Sequence, residues 1–254
     1  MSAQARQVAS AGRTIMRDVI VVGGGGSGLA AGIEAASLHR SVAVLEKGER
    51  LGGTTGRSIG SISASNTPHQ YRAGILDSPR DHLADLYRFN AKLNLPNHEV
   101  FSRLLVDNVP DTIRWLMDMG ITFYGPLKEL PHRKPRMHNV LPNSRAYIFH
   151  MERRARRLGV DLHTATTVRE LIREDGRVVG VLADGPNGPL TFRARGGVVL
   201  ASGDYSSDSE MKARLINASV ASFPGVNPTN TGDGHRMATA IGARIINGHL
   251  YHAG

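Results

Sequence analysis

Four residues in one short stretch have the types and spacing to hold a nucleotide. Gly23, Gly25 and Gly28 fit G-x-G-x-x-G, and Glu46 follows at the end of a second apolar run. The glycines meet three separate needs: a tight turn, close approach of the backbone to a pyrophosphate, and packing of a helix on a strand. Unpaired N–H groups and the positive dipole end of the next helix attract phosphate. A carboxylate at Glu46 can accept hydrogen bonds from a ribose. Together they point to an adenine dinucleotide. A glycine turn without a ligand would explain the glycines singly and leave Glu46 unexplained.

Directly after Glu46 runs a strip, residues 47–61, too rich in glycine and hydroxyls for a core element. Lys47, Gly52, Gly53, Thr54, Thr55, Ser58 and Gly60 belong to it. Approachable backbone N–H groups and hydroxyl donors suit a second phosphate- and ring-binding surface better than a bare flexible loop.

The elements that must position these groups can be read from periodicity. Val19–Val22 is short, apolar and β-branched, as a strand buried on both faces should be. Leu29–Ile33 opens a small-residue helix, and Ser41–Leu45 reads as the second strand. Residues 79–92 and 98–118 are expected to be helical. Leu83, Leu86, Tyr87 and Asn90 share one face; Phe101, Leu104, Leu105, Val109, Ile113, Leu116 and Met117 share another. Asn97 suits an N-cap and Gly120 a stop, Pro110 predicts a kink or a break, and the lone Trp115 is expected in this core.

Residues 144–158 read as a further helix, followed by a strand at Val160–Thr164. Asp175-Gly176 between Val168–Glu174 and Arg177–Ala183 signals a hairpin. Leu190–Ala194 and then a strand at residues 196–203 follow, with helices expected at Ser207–Ile216 and Gly234–Ile241. A parallel βαβ start, an inserted helical region and a later β-meander give an α/β, Rossmann-like fold. The meander departs from the βα alternation of a plain NAD-dehydrogenase half and fits a flavoprotein dinucleotide domain.

Composition narrows the chemistry. The chain has 254 residues, 41% of them hydrophobic, and no cysteine, which excludes disulfides, thiolate metal sites, iron–sulfur ligation and a thiol nucleophile. No apolar run reaches membrane-spanning length. Residues 1–17 carry three arginines and no acid, and are expected to be a disordered tail rather than a signal; the cytoplasm is the expected location. The net charge of +9 is concentrated in residues 126–157, which hold nine Lys/Arg against two Glu. No nucleic-acid motif accompanies it, so nucleic acid is not an expected partner. Arg153–Arg157 reads as a solvated helix face. The loop Pro131–Pro142, with His132, Arg133, Lys134, Arg136 and His138, could draw an anionic small-molecule substrate or a partner subunit. His249 and His252 have metal-ligand spacing but no visible third ligand, so no metal is expected.

Four segments together resemble the fumarate reductase/succinate dehydrogenase flavoprotein family, and most closely its soluble branch of fumarate and urocanate reductases and 3-ketosteroid dehydrogenases. They are DVIVVGGGGSGLAAGIEAA, VLEKGERLGGTTGRSIGSISA, ATTVRELIREDGRVVGVLAD leading into ARGGVVLASGDYSSDSEM, and NPTNTGDGHRMATAIGARI. The resemblance implies an FAD-dependent oxidoreductase acting on CH–CH groups, with an FAD-binding domain at 18–246, a helical insertion at about 66–158, and the start of a capping domain at 247–254. It implies that Gly23, Gly25, Gly26, Ser27 and Gly28 contact the FAD pyrophosphate and Glu46 the ribose, with Lys47 and Gly52 beside them. Gly53, Thr54, Thr55, Ser58 and Gly60 would lie along the cofactor towards the flavin. Val168 would meet adenine, Ala201, Ser202 and Gly203 would close over the dinucleotide, and Asp233 would sit near it. Membrane-bound members attach flavin through a histidine in the glycine–hydroxyl strip. This sequence has none between Arg40 and Pro68, which predicts non-covalent FAD. The family's substrate-clamping residues lie mostly beyond the matching region, so no catalytic residue is assigned. The alternative is a non-catalytic FAD-binding module, or a subunit that needs a partner chain for activity.

Overall fold

The structure, a computed structural model, describes residues 13–250. In chain order its elements are β1 (Arg13–Val22), α1 (Gly26–Ser37), β2 (Val42–Leu45), β3 (Ser61–Ser63), α2 (Pro68–Arg72), α3 (Pro79–Lys92), α4 (Glu99–Asp118), β4 (Thr122–Leu127) and β5 (Met137–Leu141). There follow α5 (Arg145–Arg157), β6 (Asp161–His163), β7 (Thr167–Glu174), β8 (Arg177–Gly185), β9 (Gly188–Leu200), α6 (Ser209–Leu215), α7 (Ala218–Ala221) and α8 (Asp233–Ala240). The chain divides into two compact units, residues 1–57 with 151–254, and residues 58–150, with the second boundary falling inside α5.

The first unit is built on a six-stranded sheet of order β6-β2-β1-β9-β8-β7. β6, β2, β1 and β9 are parallel, and β8 and β7 complete an antiparallel meander with β9. This is the α/β arrangement expected. Asp175 and Gly176 both adopt positive φ, 47° and 80°, which sets the right twist for the β7–β8 hairpin. Apolar side chains fill both faces of the parallel part. On one face Ile20, Val22, Leu45, Val168, Val181 and Phe192 form a buried cluster with Met237 of α8. On the other face α1 packs through Leu29 and Ile33, both essentially fully buried. Each contributes roughly 1.5–3 kcal/mol by leaving water. Gly32 lets the helix come close: a Cβ there would stand 3.0 Å from Val44.

Two expectations change here. β1 begins at Arg13, because residues 13–17 pair with Leu190–Ala194 of β9, so the end of the expected tail is strand. Residues 1–12 lie outside the described residues. The two strands expected at 190–194 and 196–203 are one continuous β9, carried past a bulge opposite Asp18.

The second unit is less helical than expected. Between its helices it holds an antiparallel sheet of order β3-β5-β4. α4 runs unbroken through Pro110, whose ring is buried. Its N-cap is His98 rather than Asn97. The face of α4 that packs inward is Val106, Val109, Pro110, Ile113 and Leu116, whereas Phe101, Leu104 and Leu105 are exposed, since the apolar stripe is longer than the surface it meets. Of the face expected on α3, Leu83 is buried and Leu86, Tyr87 and Asn90 are partly buried, and the helix also buries His82 and Asp85. Trp115 is half-buried.

The cationic loop is engaged inside this unit. Arg136 is fully buried, its guanidinium forking onto Asp77 at 2.7 and 2.8 Å and reaching Asp85 at 2.6 Å. Arg133 also binds Asp85, and Lys134 binds Asp81 at 2.8 Å. The loop's cations therefore answer the carboxylates of α3 and the residues before it, and not an open surface as expected. His138 hydrogen-bonds Thr67 and the Arg136 carbonyl.

His82 sits beside this cluster, its ring 5.2 Å from that of His132. Burial, and then the charge of Arg136, lower its pKa to about 4. For Asp85 burial acts upward, but hydrogen bonds from Arg133 and Arg136 bring it down to about 2. The unfolded chain protonates the histidine near 6.5 and the carboxylate near 3.8. Stability from His82 is thus complete above pH 6.5 and lost as pH falls towards 4, and that from Asp85 is lost between about 3.8 and 2. Trp115 is the only tryptophan and reports this unit. Its thermal unfolding curve is expected to hold constant from pH 8 to 6.5, then shift to lower temperature between pH 6.5 and 4. His82→Phe should shrink that upper limb, of which His69, His132 and His138, also lowered by burial, keep a part, and leave the lower one.

Candidate functional site

The described residues of the first unit enclose a cleft at the carboxyl ends of β1, β2 and β9. This is where open α/β sheets bind ligands. Its floor is the β1–α1 turn. Gly23 (φ 108°) lies against β9, and a Cβ on Gly28 would stand 1.8 Å from the Gly23 carbonyl oxygen, so only glycines allow this turn. Gly25 is the N-cap of α1 and no side chain caps the helix, nor does any acid stand in its first turn. A Cβ added to Gly25 would meet nothing nearer than 3.8 Å. The helix end is therefore open to an anion, with a cradle above it shaped by missing side chains.

Glu46 closes one side. Its carboxylate accepts from the Gly24 N–H at 2.8 Å and the Gly48 N–H at 2.7 Å. These two donors fix its orientation and leave acceptor capacity towards the cleft. The strip after it folds back along the turn, where Gly25 and Gly52 form a parallel bridge and the Gly26 N–H donates to the Thr55 hydroxyl at 3.2 Å. Lys47 Nζ bonds Asp233 at 2.7 Å and the Thr231 hydroxyl at 2.8 Å, tying the strip to the start of α8. With Lys47 paired, the cleft's donors towards phosphate are backbone N–H groups, hydroxyls and a helix dipole rather than free cations.

Of the residues expected to bind a cofactor, Gly23, Gly25, Gly26, Ser27, Glu46, Lys47, Gly53, Thr54, Thr55, Val168, Ala201, Ser202, Gly203 and Asp233 line this one cleft. Gly28 and Gly52 do not line it; the first packs α1 on β1, the second bridges Gly25. Ser58 and Gly60 belong to the other unit. The sequence reading did not single out Thr166, Thr167, Asp204, Asn227, Thr229 and Asn230, which also line the cleft. The signal for three of these was the Asn-Pro-Thr-Asn-Thr-Gly run, dense in residues that hydrogen-bond their own backbone. Among the described residues no cluster of His, Asp or Glu could hold a metal ion, and no helix is long and apolar enough to cross a membrane.

Comparison with known proteins agrees with this geometry. The family described as "FAD binding domain" matches residues 18–253. The chain is 29% identical over 245 residues to urocanate reductase of Eggerthella lenta, covering 92% of this chain and 39% of that protein. It is 29% identical over 234 residues to vinyl phenol reductase of Lactiplantibacillus plantarum, covering 89% and 46%. Among solved structures it is similar to a flavocytochrome c3 fumarate reductase in an open conformation, with TM-score 0.86, 27% identity, and 92% and 42% coverage. It is also similar to a 3-ketosteroid-Δ4-(5α)-dehydrogenase of Rhodococcus jostii, with TM-score 0.82, 26% identity, and 94% and 56% coverage. The chain spans less than half the length of these curated relatives.

Proposed function

Because this chain belongs to the FAD-binding-domain family, we propose that it is the cofactor-holding part of a flavin-dependent oxidoreductase acting on a carbon–carbon bond next to a carbonyl or carboxylate. The observation that carries this reading is the uncapped N-terminus of α1, open above Gly25 and flanked by Glu46 and the Gly52–Thr55 strip. Relatives named for urocanate, fumarate, vinyl phenol and ketosteroid substrates support the reaction class.

A bound flavin supplies the redox chemistry, hydride exchange at N5. The residues of this chain do the holding. Ser27 and the N–H groups of the α1 turn would hold the pyrophosphate, Glu46 would accept from a ribose, and Val168 would border the adenine. Ala201–Gly203 close the cleft, and Lys47 with Asp233 keeps α8 in place beside it. Substrate polarisation and proton delivery are assigned to residues of the longer relatives' remaining length. The same partial coverage favours a second reading, a FAD-binding module that works with a partner chain.

An absorbance spectrum of the purified chain, taken before and after acid precipitation, tests the proposal. Flavin bands that leave with the supernatant are expected, as the strip holds no histidine for a covalent link. A colourless protein that takes up no added FAD would sink the cofactor assignment. Colour retained in the pellet would sink the non-covalent one.

A further inference from the structure

We propose that Asn227 and Asn230 are positioning residues that lock the Thr54 hydroxyl as a hydrogen-bond donor towards a phosphate oxygen of the dinucleotide. The inference rests on the FAD reading above and adds to it the polarity of one contact and the residues that set it.

The polarity follows from a single unambiguous donor. The main-chain N–H of Thr229 points at a side-chain atom of Asn227 at 3.2 Å, so that atom is the carbonyl Oδ1; the Thr229 hydroxyl donates to it as well, at 2.9 Å. The other terminal atom of Asn227 is then the amide Nδ2, which donates at 2.9 Å to Asn230. The accepting atom of Asn230 must be Oδ1, which leaves its Nδ2 to donate to Thr54 Oγ1 at 3.0 Å. Both asparagines are about 96–97% buried. Turning either amide would set two donors, or two acceptors, face to face without water to relieve them.

A threonine hydroxyl ordinarily rotates to donate or accept as its partner requires. Here one lone pair of Thr54 is already taken by Asn230, and among the described residues its proton has no acceptor. The side chain is exposed and lines the cleft. It stands in the strip that bridges Gly25 at the open helix end. A proton offered beside an uncapped helix N-terminus suits an oxygen that carries charge and no hydrogen, which on a dinucleotide is a phosphate oxygen.

The test is a thermodynamic cycle on FAD affinity, read by flavin fluorescence. Thr54→Val removes the hydroxyl at constant shape. Asn230→Asp keeps the shape and still accepts from Asn227, but shows Thr54 an acceptor, so the hydroxyl turns and donates to it. Each variant is expected to bind FAD about tenfold more weakly. The double variant should bind within twofold of the weaker single one, since the donor can be lost only once. Thr54→Ser, which keeps the hydroxyl, should recover most of the affinity that Thr54→Val loses. Should Asn230→Asp not fold, Asn227→Asp applies the same reversal from one residue further back: it still accepts from Thr229 and forces Asn230 to turn its oxygen to Thr54.

Losses that multiply in the double variant, or an Asn230→Asp protein with full affinity, would overturn the relay while leaving the FAD site intact. An unaltered chain that binds no FAD would instead overturn the cofactor reading, and the relay with it.

Discussion

Alanine at Gly28 is expected to give a protein that neither holds FAD nor withstands moderate heating. The new Cβ would lie 1.8 Å from the Gly23 carbonyl oxygen. Gly23 cannot yield, because it is pressed against β9: a Cβ of its own would stand 2.3 Å from the Ala201 oxygen. Both obstacles are main chain, so α1 would have to leave the sheet. Overpacking of a core typically costs 1–3 kcal/mol, and a backbone collision at this distance belongs at or above the upper end. About 3 kcal/mol would lower the melting temperature by roughly 6–12 °C. Gly25→Ala is the control. Its Cβ has 3.8 Å of room, so the ligand-free protein should melt as before while FAD affinity falls. If both variants melt like the unaltered chain, the tight turn is not what holds α1 to the sheet.

Arg136→Met is expected to damage the second unit to a similar degree by a different route. Asp77 and Asp85 are fully buried and share this one fully buried guanidinium. Removing it takes away the cation that the two carboxylates share, leaving Asp85 to Arg133 and Asp77 to the Gln70 amide and the Ser78 N–H; breaking comparable buried pairs costs about 3–5 kcal/mol. Arg136→Lys should fall between, since one ammonium cannot reproduce a fork that meets two carboxylates. Trp115 fluorescence during denaturant unfolding measures the loss, and a midpoint within error of the unaltered protein would mean that water replaces the arginine freely.

What the sequence made legible follows from how local each signal is. The β1–α1–β2 unit, Glu46 and the Asp175-Gly176 hairpin are written in contiguous residues whose backbone needs few conformations. The cleft from Gly23 to Asp233 was legible in the same way, because its residues cluster at strand ends marked by glycine. The misreadings involve partners distant in sequence. Arg13–Arg17 look like a tail until β9 pairs with them. Arg133, Lys134 and Arg136 look like a free basic patch until the carboxylates of Asp77, Asp81 and Asp85 reach them. Periodicity identified α4 as amphipathic, but the length of stripe that is covered depends on the surface opposite, and Phe101 and Leu104 lie beyond it. Asn227 and Asn230 stand in a run that marks a turn and nothing more; the hydrogen-bond chain they form exists only once Thr54 is beside them.

The position of β1 bears on how this chain can be made in a cell. Val21 pairs with Val44 on one side and Val199 on the other. The first neighbour leaves the ribosome almost at once, but the second follows roughly 180 residues later, an interval of about 10–35 s at ordinary rates of synthesis. Throughout it a strand that ends in the apolar run Val19–Val22 has one edge without its native neighbour, and sequence-distant pairing of this kind is slow even after release. The yield of folded protein should therefore depend on what shields that edge during translation, a demand on chaperones set by strand order alone.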